Sequence, residues 1–295
     1  MKVLLTGASG FIGRHVLEIL HQQGVQTVMV GRNRAPHSAF ADFICADLLA
    51  GPDFSALVRS AGASHLLHLA WYAEHGKYWD SPLNLRWVDA SCRLVEAFCG
   101  AGGQHVVVAG TCAEYDWGSA WCREDHTSLA PTTLYGCAKD ATRRLVMAVC
   151  AQHGLPCAWA RVFLPFGPGE SAQRLIPSLI GVFRGLRQAF GVNASAYRDF
   201  LHVTDVAQGF VSLLQAHADG AYNLSSGHPV RLAEVVRELA CLLNADPQPV
   251  LALSRPQLGE PALLAGENVK LQSLGWQPAL SMAQGLAQTV GEVRQ

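Results

Sequence analysis

The chain has 295 residues, half of them hydrophobic and 15% charged, with a formal net charge of -1. That balance describes a globular protein with a sizeable core, in one large domain or in a large domain with a smaller cap. It excludes a basic surface for nucleic-acid phosphates, and no apolar run is long enough for a membrane span.

The chain starts MKVLLTGASG, which turns to glycine after a few apolar residues and lacks the apolar core of a secretion signal. Residues 2–7 read as a short apolar strand stopped by glycine, and 14–24 as a helix with Val16, Leu17 and Leu20 on one face and Gly24 as its stop. Strands follow at 26–31 and 43–48, a helix at 54–62, a strand at 65–71, a helix at 85–102 and a strand at 105–111. A long helix at 133–154 precedes a strand at 156–167, and further helices are predicted at 174–187, 204–218, 231–244 and 281–293. Strands that are almost continuously apolar, alternating with helices, predict a parallel sheet covered on both faces. The predicted fold class is α/β: a Rossmann-type doubly wound parallel sheet over 1–165, with 166–295 forming a smaller substrate-binding lobe. The boundary is soft, and later segments are expected to return to the sheet, so that the two lobes interleave.

Nine cysteines are scattered through the chain with no Cys-x-x-Cys pair. Neither a disulfide framework nor a zinc site is expected, no other metal site is predicted, and a reducing cytoplasm is the expected compartment.

Chemistry first shows in TGASGFIG, which places Gly7, Gly10 and Gly13 between a strand and a helix. Gly7 permits a tight turn, Gly10 lets backbone N–H groups approach a pyrophosphate at the helix start, and Gly13 allows close helix–sheet packing. The second strand ends in VGRNRA, so Arg32 stands where NAD binders usually carry an acid for the ribose 2′-hydroxyl. A guidinium there, with Arg34 as a second cation, favours NADP(H) with its 2′-phosphate, and NAD(H) is the alternative. Tyr135 and Lys139 stand four apart at the head of a helix, one turn apart on one face.

Further segments occur in order: ADL with Asp47, HLLHLAW, AGTCAEYDW, YGCAK, RVFLPFGPG, RDFLHVTDVA and LGWQP. Together with TGASGFIG they resemble the extended short-chain dehydrogenase/reductase family, the NAD(P)-dependent epimerase/dehydratase group that modifies nucleotide sugars. The resemblance covers almost the whole chain. It implies a catalytic set of Thr111, Tyr135 and Lys139. It implies cofactor contacts at Gly7, Gly10, Phe11, Ile12, Gly13, Arg32, Asp47, Leu48, Leu69, Ala70, Lys139 and Phe163. It also implies substrate contacts at Trp71, Cys112, Arg198 and Arg255. A phenol titrates near pH 10, and the neighbouring Lys139 ammonium is expected to bring Tyr135 toward working pH. Thr111 would bond the substrate carbonyl or alkoxide oxygen, and Lys139 the nicotinamide ribose.

Departures from the family pattern narrow the reaction. Dehydratases of the group follow the threonine with Asp-Glu, whereas Cys112 and Ala113 stand here, with Glu114 one place late. Trp87 and Leu164 occupy positions where many members carry asparagine. The expected activity is therefore NADPH-dependent reduction of a 4-keto (6-deoxy) sugar on a nucleoside diphosphate. NAD-dependent 4-epimerisation of a nucleotide sugar is the alternative, and a non-catalytic dinucleotide sensor a third reading. The expected partners are a nucleotide-linked sugar and a second copy of the chain, joined through a four-helix bundle of the helices at 85–102 and 133–153. No nucleic acid or membrane partner is expected.

Overall fold

The computed structural model describes residues 1–34, 39, 41–256 and 259–292. The first half of the chain alternates as its apolar runs predict: β1 (Lys2–Thr6), α1 (Phe11–Gln22), β2 (Gln26–Gly31), β3 (Asp42–Cys45), α2 (Phe54–Ala61), β4 (His65–His68), α3 (Leu83–Gly100) and β5 (His105–Thr111). After β6 (Trp121–Cys122) come α4 (Leu134–Gln152), β7 (Cys157–Val162), β8 (Leu164–Phe166) and α5 (Leu175–Phe183). The remainder is β9 (Tyr197–Arg198), β10 (Phe200–His202), α6 (Val203–Gln215), β11 (Gly220–Leu224), β12 (Val230–Arg231), α7 (Leu232–Leu242), α8 (Gln248–Leu251), β13 (Leu263–Gly266), α9 (Val269–Gln272) and α10 (Met282–Glu292). The last position of the helix expected over 281–293 lies outside the described residues.

Among the described residues, seven parallel strands form one sheet in the order β11-β7-β5-β4-β1-β2-β3. The order runs outward from β1 in both directions, as in a doubly wound Rossmann-like sheet, and puts the switch point beside the loop after β1. Both faces are covered. One buries Val3, Leu5, Leu67 and Val107 under α1 and α6, and the other buries Leu4, Leu66, Val106 and Trp159 under α2, α3 and α4. Helix α1 holds its place through Val16, Leu17 and Leu20. Burying side chains of this size stabilises by about 1.5–3 kcal/mol each. A third cluster packs α5, α7, α8 and α10 around Phe166, Ile176, Leu179, Leu239 and Leu286.

The predicted strand at 156–167 is two strands. β7 belongs to the large sheet, whereas β8 turns away and pairs with β10. The break falls at Phe163, whose backbone N–H donates to Leu224 O. Two buried aspartates tie together segments of the second half of the chain. Asp199 accepts from Ser226 N and Oγ, Gly227 N and Gly266 N at 2.6–3.1 Å. Asp205, in the first turn of α6, accepts from Ala279 N and Leu280 N, while Trp276 Nε1 donates to its carbonyl. The RDF, VTDVA and LGW segments are thus hydrogen-bonded joints. No helix among the described residues is long and apolar enough to cross a membrane.

Candidate active site

The glycine loop sits at the switch point. Gly7 has φ 76°, and a side chain there would meet Ala70 N at 2.7 Å and Leu69 C at 2.9 Å. A Cβ on Gly13 would lie 2.0 Å from Gly7 O, so only glycine lets α1 start this close to the turn. Gly10 caps α1 without a side-chain hydrogen bond, and the first turn carries no acid. The opening N–H groups at Phe11, Ile12 and Gly13 therefore have no intrahelical acceptor and point outward, an arrangement that fits a pyrophosphate. The β4 end that faces this loop is fixed by Ala70 N donating to Thr6 Oγ1 at 3.2 Å. Arg32 is exposed just past β2, and its carbonyl accepts from Cys45 Sγ. Asp47 is also exposed and caps the turn at Leu48–Ala50 through Leu49 N, while Leu48 is buried. These two side chains stand just past the C-terminal ends of β2 and β3.

Thr111 is the last residue of β5 and caps the short turn Cys112–Glu114, accepting from Ala113 N at 3.2 Å. Thr133 caps α4, accepting from Gly136 N at 3.1 Å, which fixes Tyr135 at the second helical position and Lys139 one turn on. Gly136 is part of this arrangement, because a Cβ there would meet Ala113 O at 2.4 Å. The helix head can therefore approach the β5 turn, which brings the Tyr135 phenol beside the Thr111 side chain. Thr111 on one side, and Tyr135 and Lys139 from the head of α4 on the other, converge at the C-terminal end of β5, beside the loop after β4.

The electrostatics differ from the sequence expectation. Burial pushes the Tyr135 phenol up from its usual range, and the neighbouring Thr111 hydroxyl pulls it partly back. Lys139 does not act on it directly: its Nζ donates to Ala109 O at 2.9 Å and lies 3.8 Å from the Trp71 ring centre. Burial lowers the Lys139 ammonium to about 7, opposed by the negative charge of Glu114. The reason for the difference is geometric, since the lysine head is held against strand and indole rather than against the phenol.

Aromatic residues wall this centre. Tyr78 and Trp79 meet the Tyr135 ring edge-on, at 4.8 and 5.7 Å between centroids. Trp71 stacks on Trp87 at 6.0 Å and donates through Nε1 to Asn84 Oδ1 at 2.9 Å, and Asn84 Nδ2 donates to Tyr78 O at 2.7 Å. Asn84 is fully buried and ties the whole loop to α3. Sequence reasoning passed over it and over Tyr78, although an asparagine at the start of a helix after an aromatic-rich loop was a readable signal. Cys112 and Phe163 are buried together with Tyr115, Cys122 and Leu264.

A cleft of about 440 Å³ opens beyond Tyr78 and Trp79, lined also by Glu170, Arg174, Arg198 and Phe200. Arg198 donates to Tyr197 O and Pro261 O and pairs with Glu260 at 3.1 Å. Arg174 Nε donates to Glu170 Oε1 at 2.7 Å, and burial raises the Glu170 carboxyl to about 7. Arg255 is exposed; its backbone N–H donates to Val192 O, but its side chain is not in the cleft wall. A larger depression of about 800 Å³ lies between α2 and α3, lined by Asp53, Arg59, Arg93 and Glu96, away from all of these residues.

The late acid, Glu114, is committed elsewhere. It is fully buried, accepts from Thr111 N and Trp159 Nε1, and pairs with Arg161. His68 is likewise held on both nitrogens, by Thr6 Oγ1 at 2.7 Å and Ser91 Oγ at 2.8 Å.

Known proteins resemble the chain along most of its length. The chain is 27% identical to a UDP-glucose 4-epimerase of Streptomyces lividans, over 94% of this chain and 92% of that one. It is 24% identical to the dTDP-6-deoxy-L-talose 4-dehydrogenase (NAD(+)) of Aggregatibacter actinomycetemcomitans, over 84% of this chain and 93% of that one. Among solved structures, MoeE5 in complex with UDP-glucuronic acid and NAD superposes with a TM-score of 0.86 at 28% identity, covering 100% of this chain and 99% of MoeE5. The family model of the NAD dependent epimerase/dehydratase family matches residues 3–225, and the chain belongs to that family of nucleotide-sugar enzymes.

Proposed function

We propose that the protein is a 4-epimerase of a UDP-linked hexose, moving a hydride away from sugar C4 and back again. The observation that carries this reading is the convergence of the Thr111 hydroxyl and the Tyr135 phenol at the end of β5, with Lys139 one helical turn on and its head against the Ala109 carbonyl of the same strand. The 27% identical epimerase and the 28% identical MoeE5 support it.

In this reading Tyr135 takes the proton from the sugar O4 and returns it, with Thr111 holding the same oxygen. The bound dinucleotide supplies a nicotinamide that accepts and gives back the hydride. Gly7, Gly10, Phe11, Ile12 and Gly13 would hold its pyrophosphate, Arg32, Asp47 and Leu48 its adenosine, and Leu69, Ala70 and Phe163 the face near the reacting ring. Lys139 would orient the nicotinamide ribose, its ammonium lowered to about 7 by burial. Arg198 would face the diphosphate from the cleft, with Trp71 and Cys112 near the sugar and Arg255 at the outer rim. Elimination is disfavoured, because Cys112 and Ala113 replace its acids and Glu114 is neutralised by Arg161. Exposed Leu85 on α3 and Leu145 on α4 lie on packed neighbouring helices, which supports a homodimer through a four-helix bundle.

A second reading is favoured by Arg32. A cation rather than an acid at this strand end suits a 2′-phosphate and thus NADPH-dependent reduction of a 4-keto sugar nucleotide. The similarity to the talose dehydrogenase is compatible with it.

One experiment separates the two. The protein is denatured to identify any retained dinucleotide, then assayed with UDP-glucose and UDP-glucuronic acid for the C4 epimer by NMR. Parallel assays follow NADPH consumption on nucleotide-linked 4-keto-6-deoxy sugars. Retained NAD with epimer formation establishes the first reading, and NADPH oxidation without epimer establishes the second. Y135F is expected to lower turnover ~10²–10⁴-fold while dinucleotide binding persists; full activity in Y135F would refute the role given to the phenol.

A further inference from the structure

At the opposite end of the sheet, three histidines face one another. His65 begins β4 and His105 begins β5, and the two are register partners on adjacent parallel strands. Strand alternation puts them on the same face as Leu67 and Val107, the face covered by α6. Helix α6 ends at Gln215, and His217 follows in the turn toward β11. Its ring centroid is 4.9 Å from that of His65 and 5.2 Å from that of His105. One nitrogen from each of the three lies within 4.8 Å of the others.

Hydrogen bonding fixes the tautomer of His105 and suits a metal-binding tautomer of His65. His105 Nε2 lies 2.8 Å from Ala218 O, a carbonyl that can only accept, so Nε2 carries the proton and Nδ1 the lone pair. Ser64 Oγ donates to Lys2 O and lies 2.9 Å from His65 Nδ1. With the serine proton directed to Lys2 O, His65 Nδ1 donates to the serine oxygen and Nε2 carries the lone pair. Both lone-pair nitrogens, His65 Nε2 and His105 Nδ1, are buried and have no hydrogen-bond partner. The two side chains are 3% and 0% exposed. A buried acceptor without a partner costs about 1–3 kcal/mol, and two of them on rings whose centroids are 5.9 Å apart call for a shared partner.

The backbone at His217 is the second sign. Gln215, Ala216 and His217 close α6 with the 6→1 and 5→2 bonds of a Schellman end, Ala218 N to Leu213 O and His217 N to Leu214 O. The residue in that left-handed position is usually glycine, yet a histidine stands there at φ 47°. Its strain is tolerated where the side chain has a task.

We propose that His65, His105 and His217 form a site for a divalent transition-metal ion of the zinc class. Three neutral imidazoles with no thiolate and no carboxylate suit Zn²⁺, Co²⁺ or Ni²⁺ rather than Mg²⁺ or Ca²⁺. The outer hydrogen bonds to Ala218 O and Ser64 Oγ orient the two buried ligands as metal-binding histidines require. His217 is exposed, so the fourth position opens to solvent. The six steps of β5 from His105 to Thr111, at about 3.3 Å each, put the ion ~20 Å from the centre at Tyr135. It would therefore clamp β4, β5 and the α6–β11 turn together and stay out of the chemistry.

The test uses untagged, full-length protein stripped with a chelator and titrated with Co²⁺ and with Zn²⁺. The expected result is one equivalent bound, with the visible absorption of four-coordinate cobalt lacking thiolate charge-transfer bands, and a zinc-dependent rise in Tm. His217→Gly removes one ligand and at the same time suits the left-handed backbone, so it folds. It is expected to weaken binding by at least ~10-fold, the loss seen when even an outer partner of a metal ligand is removed, and to abolish the Tm rise. His153→Ala, an exposed histidine on the turn after α4, should leave both unchanged. No cobalt binding by the wild type, or binding that survives intact in H217G, overturns the proposal.

Discussion

Arg161 Nε donates to Glu114 Oε2 at 2.8 Å, and neither side chain is more than 1% exposed. The same carboxylate accepts from Trp159 Nε1 and from the backbone N–H of Thr111, and Arg161 Nη1 donates to the Tyr115 hydroxyl. The pair therefore bolts β7 to the turn that carries Thr111. A charged pair this deep persists only because every partner is present. Glu114→Gln keeps the shape but leaves the guanidinium uncompensated, with an expected loss of about 3–5 kcal/mol. Urea denaturation checks it; a midpoint equal to wild type would mean that the pair carries no weight.

Arg198 is held against Glu260 and two carbonyls in the cleft wall. If it faces a diphosphate, Arg198→Ala removes charge-assisted hydrogen bonds of about 1.5–3 kcal/mol. The expectation is a KM raised ~10–100-fold with kcat much less affected. Steady-state kinetics on the active sugar nucleotide decide it, and a fall confined to kcat would place the arginine elsewhere in the cycle.

Arg32 decides between the dinucleotides. Arg32→Asp exchanges a cation for an acceptor of the ribose 2′-hydroxyl, and the affinity ratio of NADPH to NADH should move at least ~10-fold toward NADH. Binding of both, followed by quenching of tryptophan fluorescence, gives the ratio. If it stays put, the exposed guanidinium reads neither form.

Stability should fall in acid through His68. Burial, with the Lys139 charge as a lesser cause, lowers this imidazole from 6.5 to about 3 in the folded state. The unfolded chain binds the proton first, so stability present above pH 6.5 is lost as the pH falls from there toward 3. The residue contributes about 1.4 kcal/mol per pH unit within that window. His68→Gln is expected to be less stable at neutral pH and to show a slope shallower by that amount. Identical slopes for the two proteins in chemical denaturation between pH 6 and 4 would exclude His68 as the source.

The large sheet was legible in the sequence because its strands are buried on both faces and read as unbroken apolar runs between glycine-stopped helices. The convergence of Thr111, Tyr135 and Lys139 followed from ordered motifs, each tied to a strand end or a helix head. The pairs with no periodicity behind them could not be read. Glu114 and Arg161 are 47 residues apart and meet only because β5 and β7 are neighbours. Strands β6, β9 and β12 have two residues each, too short to leave a pattern. The histidine triad was invisible for the same reason. His65 and His105 look like ordinary strand starts until the register sets them side by side.

The place of β11 bears on how this protein could be recombined with its relatives. β7 is buried along its whole length, and its outer hydrogen bonds are satisfied by β11, which the chain reaches only after α6. A fragment cut near residue 165 would present CAWARV as a bare apolar edge, open to pairing with any other strand. A chimera that exchanges cleft walls while keeping the glycine loop must therefore carry residues 203–224 with the first half, so its crossover points lie on either side of α6 and β11, not at the midpoint of the chain.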